Sequence, residues 1–396
     1  MKSFVEIDQE NNGDYIKLLS AISKLSGLFS ESSIPLINYR VAENIFCRSF
    51  SANNLSRSDV AFDADYNSIG IGLKTFTCPS NASMEKVAEF NKYSRKLKKL
   101  QGKDLALKLS EHRNERIDFA NRIYDIDSSL YHIVARRERE LILFETDYQK
   151  IDITNINSIK ENKASLQFED GNNLYSFNYS KSTLFRRFVI PNDAFHMPVD
   201  IIDDPYSLLL DIFNNNKLKP SENQLIPGKN FVILPLYGIK NGQKFVFEKS
   251  GLNQWNAGGR KRNENEIYIP VPAVIHHKFP DFFPPIESDK NHFNLHLPNR
   301  KVFKASMCQT AHITIDDLKI NKGKGLMTKS NKGLGEWLLR NALQLKKGEP
   351  ATIEMLDKIG YDSVILIKKD DDNYKIDIAK SNSFNNFIKK ISVLKN

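Results

Sequence analysis

Residues 69–76 form the run that most restricts how this chain can fold: Ile69, Gly70, Ile71, Gly72, Leu73, Lys74, Thr75 and Phe76. β-Branched residues and glycines describe an apolar strand, and it delivers one lysine, Lys74. In a strand, residues i and i+2 share a face. Gly72 and Lys74 therefore point one way, and Ile71 and Leu73 point the other, toward a core. The segment just before it carries three acids, Asp59, Asp63 and Asp65.

Carboxylates that can take a divalent cation, one short strand from a lysine that can position water, are the parts a metal-dependent phosphodiesterase needs. Mg²⁺ prefers carboxylate oxygens and water, and it stabilises charge on a phosphoryl group. The 396 residues carry a net charge of +9 and a pI near 9.1, a balance that favours a polyanionic partner. Cys47, Cys78 and Cys308 form no CxxC pair, so neither a disulfide framework nor a zinc site is expected. No apolar run approaches the length of a membrane span, and Met1–Glu6 has no apolar core of a secretory leader. A reduced, cytoplasmic protein is expected, with no membrane partner and no small-molecule cofactor.

Apolar spacing predicts a helix over residues 14–29 and a second over 38–50, the latter containing Glu43. Ser83 reads as the N-cap of a long helix from Met84 to about Leu100, and another helical run spans about 104–124. Alternation predicts strands at 130–135, 140–146, 164–169 and 174–179, with a turn at Asp170–Asn173. A helical stretch falls near 205–213. The expected organisation is a first domain over 1–213, a linker over 214–228 and a second domain over 229–396. The second reads as mostly β: 231–237, 244–247, 266–271, 293–297 and 302–306, a helix at 333–345, and a final pair at 363–368 and 373–378. Many short strands with Gly and Pro between them predict a barrel or pseudobarrel.

The strand run Gly70-Ile71-Gly72-Leu73-Lys74-Thr75 resembles the PD-(D/E)XK nucleases, in particular the mismatch-repair nicking endonucleases and their restriction-enzyme relatives. The resemblance implies an α/β (α+β) nuclease domain with a mixed central sheet, dependent on Mg²⁺. Those enzymes carry an acid two residues before the lysine, where this chain has Gly72. Their first metal-binding aspartate stands seven residues earlier, which falls on Asp65, with Asp63 as the alternative. Some restriction enzymes of the superfamily take the second carboxylate from the following helix. Here that implies Glu89, with Glu85 one turn earlier, and Glu43 resembles the superfamily's additional N-terminal acid. The implied metal ligands are thus Asp63, Asp65 and Glu89, with Lys74 and Glu43 completing the catalytic set.

Between Lys92 and Arg116 the chain has nine Lys or Arg residues and three acids. Arg113 and Arg116 are expected to grip phosphates, and Arg136 to reach DNA as well.

Residues 250–271 form a Gly-, Asn- and Arg-rich arm with the side-chain chemistry of major-groove readout: Asn253, Gln254, Trp255, Asn256, Arg260, Arg262 and Asn263. A second, flexible basic arm is expected after Gln309, carrying Lys322, Lys324, Lys329, Asn331 and Lys332. Residues 230–380 resemble the B3-like DNA-recognition domain of type II restriction endonucleases, through Gly251–Asn253, Asn265–Pro270, Leu334–Arg340 and Gly360–Val364. The phospholipase-D-type nuclease that accompanies some of these readers needs His-x-Lys followed by Asp, and position 283 is Phe. Trp337 reads as helix core, and His276 and His277 as structural. The combined expectation is a type II restriction endonuclease acting on double-stranded DNA as a homodimer. The alternatives are a non-catalytic DNA-binding regulator and a methylation-dependent nuclease.

Overall fold

The computed structural model describes residues 2–11, 13–56, 58–215, 225–286, 291–315, 318–329 and 332–393. It divides into two compact units, residues 1–121 with 126–219, and residues 122–125 with 220–396. Most of the segment expected as a linker lies outside the described residues.

In the first unit, α1 (Phe4–Glu10) opens on a capping box in which Ser3 and Glu6 satisfy each other's backbone amides. Next come α2 (Tyr15–Lys24) and α3 (Tyr39–Ser49), the latter capped by Asn38. A short β1 (Asn53–Asn54) leads to the hairpin of β2 (Ala64–Tyr66) and β3 (Ile69–Thr77). Its two turn residues, Asn67 and Ser68, both have positive φ, which matches the twist of a tight hairpin.

The chain then departs from expectation. Residues 82–89 are not the start of a helix but a strand, β4 (Ala82–Glu89). It is followed by the short α4 (Ser94–Leu97) and by α5 (Gly102–Tyr124). Met84, Glu85, Lys86 and Ala88 are good helix formers, but helix propensity is a weak preference that tertiary pairing overrides. The pairing partner is a strand a hundred residues further on. The four predicted strands follow as β5 (Ser128–Arg137), β6 (Glu140–Asp147), β8 (Ser165–Glu169) and β9 (Leu174–Asn178), together with three that were not expected, β7 (Asn157–Glu161), β10 (Thr183–Val189) and β11 (Phe195–Pro198). The unit closes with α6 (Pro205–Asn215).

Two sheets result. One has the order β1-β2-β3-β5-β6-β11 and is mixed, because β3 and β5 run parallel across the α5 crossover. The other, β4-β10-β9-β8-β7, is antiparallel, with Glu85 opposite Arg186 and Glu89 opposite Thr183. Ile71, Leu73, Val134, Leu141 and Leu143 pack under α1–α3 against Phe4, Tyr15 and Phe46. Leu105, Leu109, Phe168, Phe177 and Leu184 build a second core around α5. Ile71 and Leu73 therefore face a core as the strand pattern predicted, which leaves the Gly72–Lys74 face for something else.

The second unit contains β12 (Phe231–Pro235), the small hairpin β13 (Gly238–Lys240) and β14 (Gln243–Phe245), β15 (Ile269–Pro270) and α7 (Ala273–Lys278). Next are β16 (His292–His296), β17 (Val302–Ile315) and β18 (Leu318–Thr328), then α8 (Gly333–Gly335), which runs into a π-helical turn at Glu336–Ala342. The unit ends with α9 (Ile353–Ile359), β19 (Tyr361–Lys368), β20 (Asn373–Lys380) and α10 (Ser383–Val393). The seven-stranded sheet has the order β12-β19-β20-β16-β17-β18-β15, and β15 comes back beside β12, so the sheet is nearly a closed barrel. Trp337 is buried within this unit, as its helical spacing predicted.

The expected second flexible arm is instead strand β18, paired along β17 from Ala305–Thr328 to Ile315–Leu318. Its glycines serve packing: a Cβ on Gly325 would stand 2.6 Å from the Tyr268 ring, and one on Gly323 would stand 2.6 Å from Cβ of Met307. No helix of the described residues is long and apolar enough to cross a membrane.

Candidate functional site

A cleft of about 560 Å³ opens on the Gly72–Lys74 face of β3 in the first unit. Glu43, Asp63, Lys74, Glu85 and Glu89 all line it. The alternation of β3 aims Lys74 into it. Asp63 precedes β2, and its Oδ2 accepts the backbone N–H of Leu73 at 2.8 Å, which fixes the carboxylate beside the residue preceding Lys74.

Burial pushes the Asp63 carboxyl up, and the charges of Lys74 and Arg40 with the Leu73 amide offset only part of the shift. Glu43 is raised by its own burial and by the charge of Asp63, although Arg40 donates to it at 2.9 Å. Burial also raises Glu85, against the pull of the Ser83 hydroxyl, bonded at 2.5 Å, and of Lys74 and Arg136. Three carboxyls thus sit in one cleft where burial disfavours their charged form. Yet no group of three or more His, Cys, Asp or Glu among the described residues is close enough to hold a metal ion.

Asp65, expected as a metal ligand, is engaged elsewhere. It is 2% exposed and accepts from Asn53 Nδ2 at 3.2 Å and from the Ser68 amide at 3.2 Å, which pins the β2–β3 turn. Glu89 sits on a strand and not on a helix. It is exposed at the rim, bound to Lys86 at 3.2 Å and to Asn91 at 2.6 Å, with its pKa lowered chiefly by Lys86. Glu85 is the half-buried acid of the same strand that lies within the field of Lys74. A bulge in the β4–β10 pairing opposite Leu184 and Phe185 re-aims the strand here.

The position of the missing strand acid is filled. Gly72 pairs with Tyr131 across the β3–β5 ladder, and a Cβ on Gly72 would stand 2.7 Å from Cδ1 of Tyr131 and 2.9 Å from Cε1 of Tyr148. The two tyrosine rings stack with centroids 4.0 Å apart. The Lys74 ammonium lies 5.8 Å from the Tyr131 centroid, within cation–π reach. Sequence reasoning singled out none of Arg40, Tyr131 and Tyr148. Their only signal is three-dimensional adjacency.

Among the basic residues, Arg113 is a correction: it is 2% exposed and donates to the Gln149 carbonyl at 2.8 Å and to the Tyr131 hydroxyl at 3.3 Å, so it braces the cleft floor. Arg136 is half-buried and donates to the Pro35 carbonyl at 3.3 Å. Arg116 lines the cleft, half-exposed, 3.9 Å from Asp59. Lys92, Arg95, Lys96, Lys98, Lys99 and Lys103 are exposed.

In the second unit the arm over 250–266 is folded onto itself. Asn253 is buried and donates to the carbonyls of Phe247 and Ala351 at 2.9 Å, while accepting from the Ala351 amide at 2.8 Å. It is a structural tie, not a base reader. Arg260 and Arg262 converge on buried Glu266, at 2.5 Å and 3.4 Å, and Arg262 also donates to the carbonyls of Ala257 and Gly258. Gln254 and Trp255 are half-buried, and Asn256 and Asn263 are exposed. Gln309 is exposed on β17 with φ of 56°. Lys324, Lys329 and Lys332 are exposed, whereas Lys322 donates to the Pro280 carbonyl at 2.7 Å, and Asn331 lies outside the described residues. His276 is structural as expected, its Nε2 bonded to the Gly323 carbonyl at 2.9 Å.

No curated protein matches the chain. Residues 230–370 match the family model of the NgoFVII C-terminal B3-like DNA-binding domain, a domain of restriction enzymes, and this match supports DNA as a partner.

Proposed function

We propose that the chain is a type II restriction endonuclease that hydrolyses phosphodiester bonds of double-stranded DNA with Mg²⁺, the second unit selecting the sequence and the first unit cutting. The observation that carries the reading is the convergence of Asp63, Glu85 and Glu43 with Lys74 in one cleft of a chain whose other unit matches a restriction-enzyme reader.

The residues fit such an ion in chemistry. All the donors are carboxylate oxygens, and Mg²⁺ is commonly held by one or two carboxylates plus substrate phosphate and water. Asp63, with Glu85 or Glu43, would hold it, and when bound it supplies Lewis-acid stabilisation of the phosphoryl oxygens. Lys74, steadied over the Tyr131 ring, orients the attacking water and offsets charge on the phosphate. Arg116 and the exposed lysines of 92–103 hold the flanking backbone. In the second unit, Lys324, Lys329 and Lys332 contact phosphate, and Gln309, Asn256 and Asn263 are the exposed groups suited to base edges.

A second reading, a DNA-binding regulator without catalysis, is favoured by the absence of a three-acid metal cluster among the described residues. Digestion of a sequenced plasmid separates the two. Discrete fragments with Mg²⁺ that vanish with EDTA support cutting; retarded but intact DNA supports the regulator. Running modified and unmodified plasmid side by side adds the methylation test.

A further inference from the structure

The helix α6 carries more apolar surface than its own unit covers. Pro205 is buried and Leu209 half-buried, but Tyr206, Leu210 and Phe213 are 60, 63 and 62% exposed. Those three lie at i, i+4 and i+7, on one face. The Tyr206 hydroxyl donates to the Leu28 carbonyl at 3.2 Å, and the next residue, Phe29, is 70% exposed. Aromatic side chains present roughly 150–250 Å² each. The four residues together open roughly 500 Å², the size of patch that marks an interaction site.

We propose that this face, Phe29 with Tyr206, Leu210 and Phe213, is the surface through which two copies of the chain dimerise. Charge argues against DNA as the occupant. Residues 205–215 contain no Lys or Arg and one Asp, in a chain of net charge +9, whereas a phosphate-binding face is basic. Area argues for a second copy. An isologous contact uses the same patch twice, and twice roughly 500 Å² reaches about 1,000 Å², where specific interfaces begin. Stoichiometry agrees, a step that rests on the nuclease reading: each chain supplies one Lys74 cleft, and cutting both strands of a duplex calls for two.

Sedimentation velocity of the full chain at micromolar concentration, with and without DNA, tests this. The wild type is expected at twice the 45.4 kDa chain mass. The Leu210→Glu/Phe213→Glu variant is expected as a monomer, with dimerisation weakened at least about tenfold and an unchanged far-UV spectrum. Phe29→Asp, outside the helix, gives the same readout if the double variant misfolds. A wild type that is monomeric under all conditions overturns the proposal, as does a folded variant that stays dimeric because the chain itself or another molecule covers the face. Mass is read whether or not DNA is cut. A dimer that never cuts removes the nuclease reading alone, and a monomer that cuts removes this surface alone.

Discussion

Substituting Gly72 tests the cleft floor directly. A Cβ there would meet the Tyr131 ring at 2.7 Å and the Tyr148 ring at 2.9 Å. Neither ring can swing away, because they stack on each other and the Tyr148 hydroxyl is bonded to the Ala61 carbonyl at 2.5 Å. Overpacking of this kind costs about 1–3 kcal/mol. For a unit of this size each kcal/mol lowers Tm by about 2–4 °C, so Gly72→Ala is expected to melt about 2–12 °C below wild type. Gly72→Glu places an acid where the strands that β3 resembles carry one, but it adds a buried carboxylate and is expected to be worse still, with no gain in cleavage. Removing the ring relieves the clash, so a double-mutant cycle of Gly72→Ala with Tyr131→Ala is expected to couple by about 0.5–3 kcal/mol. Thermal and urea unfolding measure each corner. Gly72→Ala within about 0.5 kcal/mol of wild type, an additive cycle, or a Gly72→Glu variant that cuts faster would refute the reasoning.

Further expectations concern the acids and the reader. Asp63 is raised in the fold, so its charge costs stability only above the ordinary carboxyl range. Asp63→Asn, which keeps an oxygen for the Leu73 amide, is therefore expected to match wild type at low pH, to melt higher as pH rises toward neutral, and to lose cleavage; Tm against pH checks this. Glu85→Ala is expected to reduce cleavage at least about 100-fold, while Glu89→Ala stays within a few-fold, both measured as single-turnover rates. Asn253→Ala strands the partners it satisfies and is expected to cost about 1–3 kcal/mol in thermal unfolding, with sequence preference retained. Lys324→Ala and Lys329→Ala are each expected to lower the slope of log binding constant against log salt by about one, read from DNA titrations.

Much of this architecture was legible because its signals are local. The strands at 130–135 and 164–179 announce themselves by alternation and by the Asp170–Asn173 turn, and β3 by its apolar run. The largest error comes from a partner distant in sequence. β4 became a strand through β10, about a hundred residues away. The Gly- and Lys-rich run at 322–329 looked mobile until β17 paired with it. Of the residues lining the cleft, Asp63 and Lys74 stood out in the acidic run and its strand, and Glu43 and the alternative Glu85 were implied by the PD-(D/E)XK resemblance. Asp65 and Arg113 misled because a sequence does not say which polar groups the fold uses for its own turns and floors. Tyr131 was invisible because its role depends on the space that Gly72 leaves empty.

Cleavage of DNA by Lys74 and its neighbouring carboxylates is the proposal on which the others rest. Single-turnover cleavage of a plasmid containing the mapped site, with wild type and Lys74→Ala at matched DNA occupancy, tests it most directly. Mg²⁺-dependent cleavage by the wild type is expected, with at least about a 100-fold slower rate for the variant and binding unchanged. Equal rates for the two proteins, or a wild type that binds the site and leaves it intact with Mg²⁺, would contradict it.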